Sequence, residues 1–314
     1  MERVYVSEPI HQDAIRLLQS QFEVVQGSGP NNVAEEAAGC VGMLVRVARV
    51  DAATMDALPQ LRVIAKHGVG VDNIDVEAAT ARGIQVVNAP LANTHAVAEH
   101  TAALILALLK DLVVLDRATR AGNFAVRGNC LVKELRNKTV GLVGYGRIAR
   151  LVHRKLSGFD ARFIAYDPYM TQEQADQFGI QMLPLDELLS RSDIVTLHTP
   201  LSADTYHLMN NETLACMKPD AVLINASRGG VVDPEALYHA LSARKIAGAA
   251  LDVFEPEPPD PNSPLWTLDN LVVTPHTAAL SDAAMQAMGV DSAQGILDTL
   301  TGGTPRYPVN HLVR

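Results

Sequence analysis

Cysteine, aromatic side chains and long apolar runs are all scarce in this chain of 314 residues. The three cysteines, Cys40, Cys130 and Cys216, lie far apart with no CxxC pair, which indicates neither a disulfide framework nor a zinc site. The longest apolar run, Ala102–Leu109, is too short to cross a bilayer. Because the first residues, MERVYVSEPI, also lack the apolar segment of a signal peptide, we expect a cytoplasmic protein with no membrane partner.

Positive charge is also scarce: the chain has 26 Lys and Arg but 35 Asp and Glu, which gives a formal net charge of −9. Such a chain has no excess positive field to attract phosphates, which argues against a nucleic-acid partner. Aromatic residues make up 4% and hydrophobic residues 48% of the chain, an aliphatic composition typical of parallel sheets between helices. The length suits about two domains.

Short β-branched runs alternate with helical patterns, which predicts α/β architecture with parallel sheets covered on both faces. The first series of predicted strands is Arg3–Ser7, Phe22–Gln26, Met43–Val47, Arg62–Ala65 and Gln85–Asn88. The second series is Thr139–Val143, Arg162–Tyr166, Ile194–His198, Val222–Asn225, Gly248–Leu251 and Leu271–Thr274. Predicted helices include Gln12–Ser20, Ala34–Ala38, Ala96–Arg120, Pro234–Ala243 and Asp282–Leu300. We therefore expect two doubly wound domains.

A dinucleotide-binding fingerprint follows the first strand of the second series. Residues 139–149 read TVGLVGYGRIA, in which Gly144 allows a tight turn and Gly146 lets a pyrophosphate approach the start of the next helix. Ala149 takes the third, helix-packing position of G-x-G-x-x-G/A. Asp167 follows the next strand, 18 residues after Ala149, where a carboxylate accepts ribose hydroxyls and repels a 2′-phosphate. The pattern favours NAD over NADP.

Three further motifs come directly after apolar strands, so their side chains are expected at the carboxyl edge of the sheet. These motifs are INASRGG (224–230), ALDVFEPEP (250–258) and VVTPHTAA (272–279). His276 is the residue among them that titrates near neutrality and is the candidate general acid/base. Glu257 would raise the pKa of that imidazole, and Arg228 offers a planar fork that matches a carboxylate. Together they suit hydride transfer at C2 of a 2-keto or 2-hydroxy acid.

Each of these residues has a plainer interpretation. Glu257 lies in a Pro-rich acidic loop that could simply be solvated, and Arg228 could be a structural ligand of a helix end. His67, His95 and His100 cluster near the first-domain loops, but no acidic partner stands at ligand spacing, so we interpret them as packing or pocket histidines. No metal is predicted.

These motifs together resemble the D-isomer-specific 2-hydroxyacid dehydrogenase family, in the branch that contains D-3-phosphoglycerate dehydrogenase. The resemblance covers essentially the whole chain and includes KHGVGVDNID (66–75), NAPLANTHAVAEHT (88–101), GLVGYGRIA, NASRGGVVD (225–233), LDVFEPEP and TPH. It implies that Arg228 binds substrate and polarises its carbonyl, with Glu257 paired to His276. It also implies that the N–H groups of Val69 and Gly70 hold the substrate carboxylate. The cofactor residues expected from motif and resemblance are Gly144, Gly146, Arg147, Ile148, Asp167, His198, Thr199, Ala226, Ser227, Arg228, Asp252 and His276.

The resemblance further implies a discontinuous, flavodoxin-like substrate domain, residues 1–97 with 283–314, into which a Rossmann NAD-binding domain, residues 98–282, is inserted. Segment 100–138 usually forms much of a dimer contact in the family, so a homodimer is expected. The regulatory C-terminal domain of longer members is not expected here. Ala149 replaces the third glycine of the fingerprint, and Lys66 stands where relatives often have Arg.

The substrate is the open part of the prediction. Arg46 follows a strand of the first domain, and with Lys66 it could bind a second anionic group, as in 3-phosphoglycerate or 3-sulfolactate; without such a group, glycerate or hydroxypyruvate fits. The alternative is that Arg46 only caps the sheet edge. An NADH-sensing interaction protein, of the C-terminal binding protein kind, is the alternative function. Formate enzymes pair the histidine with Gln, so Glu257 argues against them.

Overall fold

The chain divides into two compact units in the computed structural model, which describes residues 1–312. The first unit comprises residues 1–94 and the C-terminal segment from Ala279, and the second comprises residues 95–278. The boundaries expected from the sequence fall after residues 97 and 282. Each unit is an α/β structure around its own parallel sheet, as the fold class predicted from the sequence requires.

The first unit has a five-stranded sheet. Its strands are β1 (Arg3–Val6), β2 (Glu23–Gln26), β3 (Gly42–Val45), β4 (Val63–Lys66) and β5 (Gln85–Val87). Its helices are α1 (Gln12–Gln19), α2 (Val33–Glu36), α3 (Ala52–Asp56), α4 (Val76–Ala81) and, from the C-terminal segment, α12 (Asp282–Leu300). The strand order is β2-β1-β3-β4-β5 with every pair parallel, so the winding reverses between β1 and β3.

The second unit has a seven-stranded sheet. Its strands are β6 (Thr139–Val143), β7 (Arg162–Tyr166), β8 (Gln181–Met182), β9 (Ile194–Leu197), β10 (Val222–Asn225), β11 (Gly248–Leu251) and β12 (Leu271–Val273). Its helices are α5 (Thr94–Leu109), α6 (Leu112–Arg120), α7 (Arg147–Leu156), α8 (Gln172–Asp176), α9 (Leu185–Arg191), α10 (Asn211–Ala215) and α11 (Pro234–Ser242). Short 3-10 helices cover Phe124–Asn129, Ser157–Phe159, Gly229–Val231 and Pro264–Thr267.

The order of the second sheet is that of a Rossmann domain, β12-β11-β10-β9-β6-β7-β8, and all its pairs are parallel. The winding reverses between β6 and β9, and ligands bind outside the carboxyl ends of the strands at such a point. Six strands are predicted here from the sequence pattern, and β8 is absent from that prediction. That strand has two residues and pairs only with β7, which leaves no hydrophobic alternation to detect.

Strands of both sheets are covered on two faces because their apolar side chains alternate between separate clusters. In β1, Val4 and Val6 belong to one buried cluster and Tyr5 to another. In β9, Ile194 and Val195 divide in the same way between the two clusters of the second unit. Strands that are apolar at successive positions have two apolar faces, which is typical of parallel sheets between helices.

The predicted single helix Ala96–Arg120 is wrong, because the structure divides it into α5 and α6. Asp111, just before α6, has φ +47°, a left-handed conformation that a continuing α-helix cannot contain. Leu109 ends α5 as a buried residue, whereas α6 buries no side chain in the described part of the chain. Among residues 1–312, no helix is both long and apolar enough to span a bilayer.

Candidate active site

The glycine loop after β6 has the geometry of a phosphate-binding turn. Gly144 has φ +83°, and a Cβ there would stand 2.8 Å from the carbonyl oxygen of His198, so only glycine fits. A Cβ at Gly146 would meet no atom within 4 Å, which leaves open space at the start of α7. No side chain caps that helix, so its first N–H groups face this space with the positive end of the helix dipole. The loop therefore fits a pyrophosphate.

Other groups expected at the cofactor lie at the carboxyl ends of neighbouring strands. Asp167 follows β7, and its two carboxylate oxygens accept the N–H groups of Tyr145 and Tyr169, both at 2.9 Å. Thr199 follows β9, and its hydroxyl is buried with no hydrogen-bond partner among the described residues. A buried hydroxyl without a partner costs stability, which a bound ligand can recover. These residues fit a dinucleotide along the same edge.

The candidate acid/base pair is formed by a turn after β12 and a loop after β11. His276 Nδ1 lies 2.8 Å from Glu257 Oε2, and the other carboxylate oxygen accepts the N–H of Phe254 at 2.9 Å. His276 has φ +53°, uncommon for a residue with a Cβ, and its N–H bonds the carbonyl of Thr274. Because Nδ1 is occupied by Glu257, Nε2 is the nitrogen left for a substrate.

Electrostatics of the pair favour a charged imidazole. The hydrogen bond that His276 donates to Glu257 raises the pKa of His276 above its usual value, against the opposing effect of burial. Burial acts to raise the pKa of Glu257, but the hydrogen bonds from His276 and Phe254 outweigh it and lower the pKa overall. The charge of Arg228 lowers the pKa of both residues, so this guanidinium lies within electrostatic reach of the pair.

The loop that carries Arg228 is tied to the loop that carries Glu257. Asn225, at the end of β10, accepts the N–H and hydroxyl of Ser227 and donates to the carbonyl of Arg228. A Cβ on Gly229 would lie 1.8 Å from the carbonyl oxygen of Phe254, so the two loops can pack this closely only because residue 229 is glycine. Arg228 Nη1 donates to the carbonyl of Ser227 at 2.7 Å. Ala226, in the same loop, also follows β10.

Asp252 anchors the turn that presents His276. This carboxylate is fully buried and accepts the hydroxyl of Thr274 at 2.6 Å, the N–H of Thr277 at 2.8 Å and the N–H of Ala278 at 2.9 Å. Burial acts to raise the pKa of Asp252, but the interaction with His100 and these three bonds lower it overall. His100 Nε2, on α5, lies 3.0 Å from the Thr274 hydroxyl and 3.5 Å from Asp252 Oδ1. His100 thus supports the turn, a role that sequence reasoning missed.

The substrate residues expected in the first unit all follow β3 or β4. Arg46 comes directly after β3, and its Nη1 donates to the carbonyl of Pro9 at 3.0 Å. Lys66 ends β4 and donates to the carbonyl of Arg46 and, at 2.6 Å, to Asn73 Oδ1. Neighbouring strand ends therefore bring these two cations to one edge of the sheet.

Val69 and Gly70 lie in the loop after β4. Gly68, just before them, has φ +136°, which only glycine adopts readily. The carbonyl of Val69 accepts the side-chain amide of Asn88 at 2.7 Å, and both residues are partly exposed. Their N–H groups are thus available on a loop that is fixed from the carbonyl side.

His67 is a buried imidazole and His198 a partly exposed one. Burial lowers the pKa of each to about 4. No group of three or more His, Cys, Asp or Glu residues within 1–312 has the arrangement of a metal site. Sequence reasoning also missed Glu8, Asn73 and Asn225, whose hydrogen bonds join segments that are distant in the chain.

Known proteins resemble this chain in sequence and in fold. The sequence model described as D-isomer specific 2-hydroxyacid dehydrogenase, NAD binding domain, matches residues 102–278. The D-3-phosphoglycerate dehydrogenase of Archaeoglobus fulgidus is 40% identical over 312 residues, which cover 98% of this chain and 59% of that protein. The chain thus spans about three-fifths of the length of this relative.

Two relatives of similar length to this chain match as well. The glyoxylate reductase of Thermofilum pendens is 44% identical over 266 residues, 83% of this chain and 78% of that protein. The solved structure of an NADPH-dependent glyoxylate/hydroxypyruvate reductase from Sinorhizobium meliloti, in complex with NADP and malonate, has a TM-score of 0.87 at 31% identity. It covers 98% of this chain and 96% of that one. The chain belongs to the D-isomer-specific 2-hydroxyacid dehydrogenase family and contains its NAD-binding domain.

Proposed function

We propose that this protein is an NAD-dependent dehydrogenase that interconverts a small D-2-hydroxy acid and the corresponding 2-keto acid. The observation that carries the proposal is the 2.8 Å contact between His276 and Glu257, within electrostatic reach of Arg228. This set contains a proton donor, the carboxylate that keeps it protonated, and a cation for the substrate. A protein that only sensed NADH would have no use for a tuned proton donor.

Each side chain has one task in the proposed reaction. In the direction of reduction, protonated His276 donates the proton on Nε2 to the oxygen at C2, while Glu257 stabilises the imidazolium before transfer. Arg228 polarises the same carbonyl and pairs with the carboxylate. When bound, nicotinamide supplies the hydride for C2 or accepts it in the reverse direction. In that reverse direction, neutral His276 takes the hydroxyl proton.

The cofactor is proposed to lie along Gly144, Gly146, Arg147 and Ile148, with its ribose at Asp167. A carboxylate at this position favours NAD, since a 2′-phosphate would meet like charge. His198, Thr199, Ala226, Ser227 and Asp252 are proposed to line the rest of the cofactor. The preference for NAD over NADP can be tested against a relative of the same fold, which is named as an NADPH-dependent reductase.

The substrate is proposed to carry a second anionic group, of the 3-phosphoglycerate or 3-sulfolactate type. Support comes from Arg46 and Lys66 at neighbouring strand ends in the first unit and from the likeness to D-3-phosphoglycerate dehydrogenases. Val69 and Gly70 are proposed to bind the C1 carboxylate through their N–H groups. A glycerate or glyoxylate type, without the second anion, is the competing substrate class, and a glyoxylate reductase is also among the relatives.

A screen of NADH oxidation tests both levels of the proposal. Phosphohydroxypyruvate, sulfopyruvate, hydroxypyruvate, glyoxylate, oxaloacetate and pyruvate are each offered to the purified protein, with NADPH in parallel. We expect turnover with NADH and the highest kcat/KM on a substrate with a second anion, a preference that Arg46→Ala abolishes. Tight NADH binding without turnover of any 2-keto acid would contradict the dehydrogenase proposal. Equal kcat/KM values for phosphohydroxypyruvate and glyoxylate would contradict only the proposal that the substrate carries a second anionic group.

A homodimer is proposed from segment 112–132, whose apolar side chains are unusually exposed for a globular chain. Leu131 is 94% exposed and Phe124 69%, and Leu112, Val113 and Val114 are each more than 40% exposed. Light scattering at micromolar concentration should give twice the mass of the chain. The expected cytoplasmic location stays a prediction.

A further inference from the structure

Glu8 is a buried carboxylate that binds the backbone of the loop carrying Arg46. It follows β1 and is 8% exposed. Its Oε2 accepts the N–H of Arg46 at 2.9 Å, and its Oε1 accepts the N–H groups of Val47 and Ala48, both at 2.9 Å. Successive backbone N–H groups of this kind form a concave anion site, here filled by the protein's own side chain.

The charge of Glu8 is stable in this setting. Burial acts to raise its pKa, but the hydrogen bonds from Ser7 and from the three N–H groups outweigh that effect and lower it overall. A buried carboxylate that lost these donors would be strongly destabilising, so the loop and the carboxylate hold each other in place.

The carbonyl side of the same loop is fixed by a second set of donors. Lys66 donates to the carbonyl of Arg46, and Asn73 Nδ2 donates to the carbonyl of Ala48 at 2.6 Å. Asn73 and Lys66 also bond each other at 2.6 Å. The backbone of this three-residue loop is therefore held on both its N–H side and its carbonyl side.

The place of this loop in the sheet points to a ligand. β1 and β3 are neighbours at the point where the winding of the first sheet reverses. Arg46 directly follows β3, and Glu8 is the second residue after β1. Ligands of doubly wound sheets bind in the crevice outside such a pair of strand ends. The guanidinium of Arg46 is tethered there by the carbonyl of Pro9, the residue after Glu8. Val47 is 69% exposed beside it.

We propose that Glu8 is a positioning residue for substrate selectivity: it fixes the backbone of 46–48 so that Arg46 meets the second anionic group of the substrate. This inference depends on the proposed function. Glu8 does not contact the substrate, because its oxygens are occupied by the loop. It acts through Arg46, and its loss should therefore weaken the binding of dianionic substrates more than that of monoanionic ones.

The variant Glu8→Gln tests the inference with little change in volume. Gln presents only one oxygen, so its NH2 group faces an N–H donor that Glu8 had satisfied. We expect KM for phosphohydroxypyruvate to rise about tenfold, less than the 10²-fold that a 1 Å misplacement can cost. KM for glyoxylate should rise much less, so the ratio of the two kcat/KM values falls. Glu36→Gln is the matched control, since Glu36 also accepts an N–H, from Ser28, in the same unit.

Hydrogen exchange of the peptide containing 46–48 gives a reading that does not depend on activity. Glu8→Gln should lose protection at these amides, whereas Glu36→Gln should not. If Glu8→Gln does not fold, Glu8→Asp, which keeps the charge but shortens the reach, is measured in its place. An unchanged kcat/KM ratio in a folded variant, or an equal loss with both substrates, would overturn the inference. If Arg46→Ala leaves that ratio unchanged, the second-anion substrate itself fails, whatever the exchange data show.

Discussion

Both units fix a functional loop by placing a buried carboxylate under its backbone N–H groups. In the second unit, Asp252 accepts the N–H groups of Thr277 and Ala278 beside His276. In the first unit, Glu8 does the same for the loop that carries Arg46. Each carboxylate lies within two residues of the end of a strand, so the sheet determines where the loop lies.

The two loops differ in what holds the functional side chain itself. His276 is bonded by a second carboxylate, Glu257, whereas the guanidinium of Arg46 is bonded by a neutral carbonyl of Pro9. The physical reason is that the imidazole must exist in two protonation states near neutral pH, and arginine always carries its charge. The second unit must therefore set a proton affinity, while the first needs only to set a position.

Removing the imidazole gives the largest expected effect, because the proton donor of the second unit would then be lost altogether. We expect His276→Ala to lower kcat by about 10²- to 10⁴-fold, the usual contribution of a general acid/base. NADH affinity, measured by fluorescence titration, should stay within a few-fold of wild type. His239→Ala is the matched control, since His239 is 58% exposed and paired only with Glu235 among the described residues. Turnover within tenfold of wild type would remove His276 from the mechanism.

Changing the proton affinity without removing the imidazole sharpens the comparison. Glu257→Gln keeps an acceptor for Nδ1 but removes the charge that raises the pKa of His276. Reduction needs the protonated imidazole. The alkaline limb of the pH profile for reduction should therefore move to lower pH, and the rate of reduction at neutral pH should fall about tenfold. Oxidation needs the neutral imidazole. The acid limb of the pH profile for oxidation should also move to lower pH, and the rate of oxidation near neutral pH should fall less than the rate of reduction. The pH profiles of kcat/KM in both directions measure this.

Glu255→Gln is the control for that experiment. Glu255 lies in the same loop, but its carboxylate bonds His207 Nε2 at 3.1 Å instead of His276. Its pH profiles should match those of the wild type. If Glu257→Gln also leaves both limbs in place, the carboxylate does not set the proton affinity, and the contrast between the two units disappears.

Much of the fold could be read from local pattern because parallel strands are continuous apolar runs. Thr139–Val143 and Gly248–Leu251 were predicted with their observed bounds. The division between α5 and α6 was missed because Asp111, which has the left-handed backbone, is neither Gly nor Pro, the residues that mark a helix end in a sequence. The two-residue strand β8 exists only through its pairing with β7.

The residues of the site also divide into those that could be predicted from the sequence and those that could not. His276, Glu257 and Arg228 could be proposed because each lies in a motif that comes after an apolar strand, and that order in the chain is visible in the sequence. Glu8 could not be proposed, because its bond to the loop after β3, 38 positions along the chain, depends on the pairing of β1 with β3. Residues that act through side chains at strand ends are thus predictable, and residues that position them through long-range backbone contacts are not.

His100 offers the smallest and most selective test of the comparison, because it asks whether the Asp252 loop depends on more than its N–H groups. The Thr274 hydroxyl donates to Asp252, so His100 Nε2 must donate to that hydroxyl, at 3.0 Å. One such bond contributes about 1 kcal/mol. We therefore expect His100→Leu to lower kcat about fivefold, and His100→Gln, whose Nε2 can replace the imidazole nitrogen, to restore most of it. Thr274→Val should cost about the same, and the double variant should cost no more than either alone, because both changes break one chain of bonds. Additive losses in that cycle would show that His100 acts independently of the Thr274 hydroxyl, through its own 3.5 Å contact with Asp252. If neither single variant lowers kcat, Asp252 holds the His276 turn as Glu8 holds its own loop, through backbone N–H groups alone.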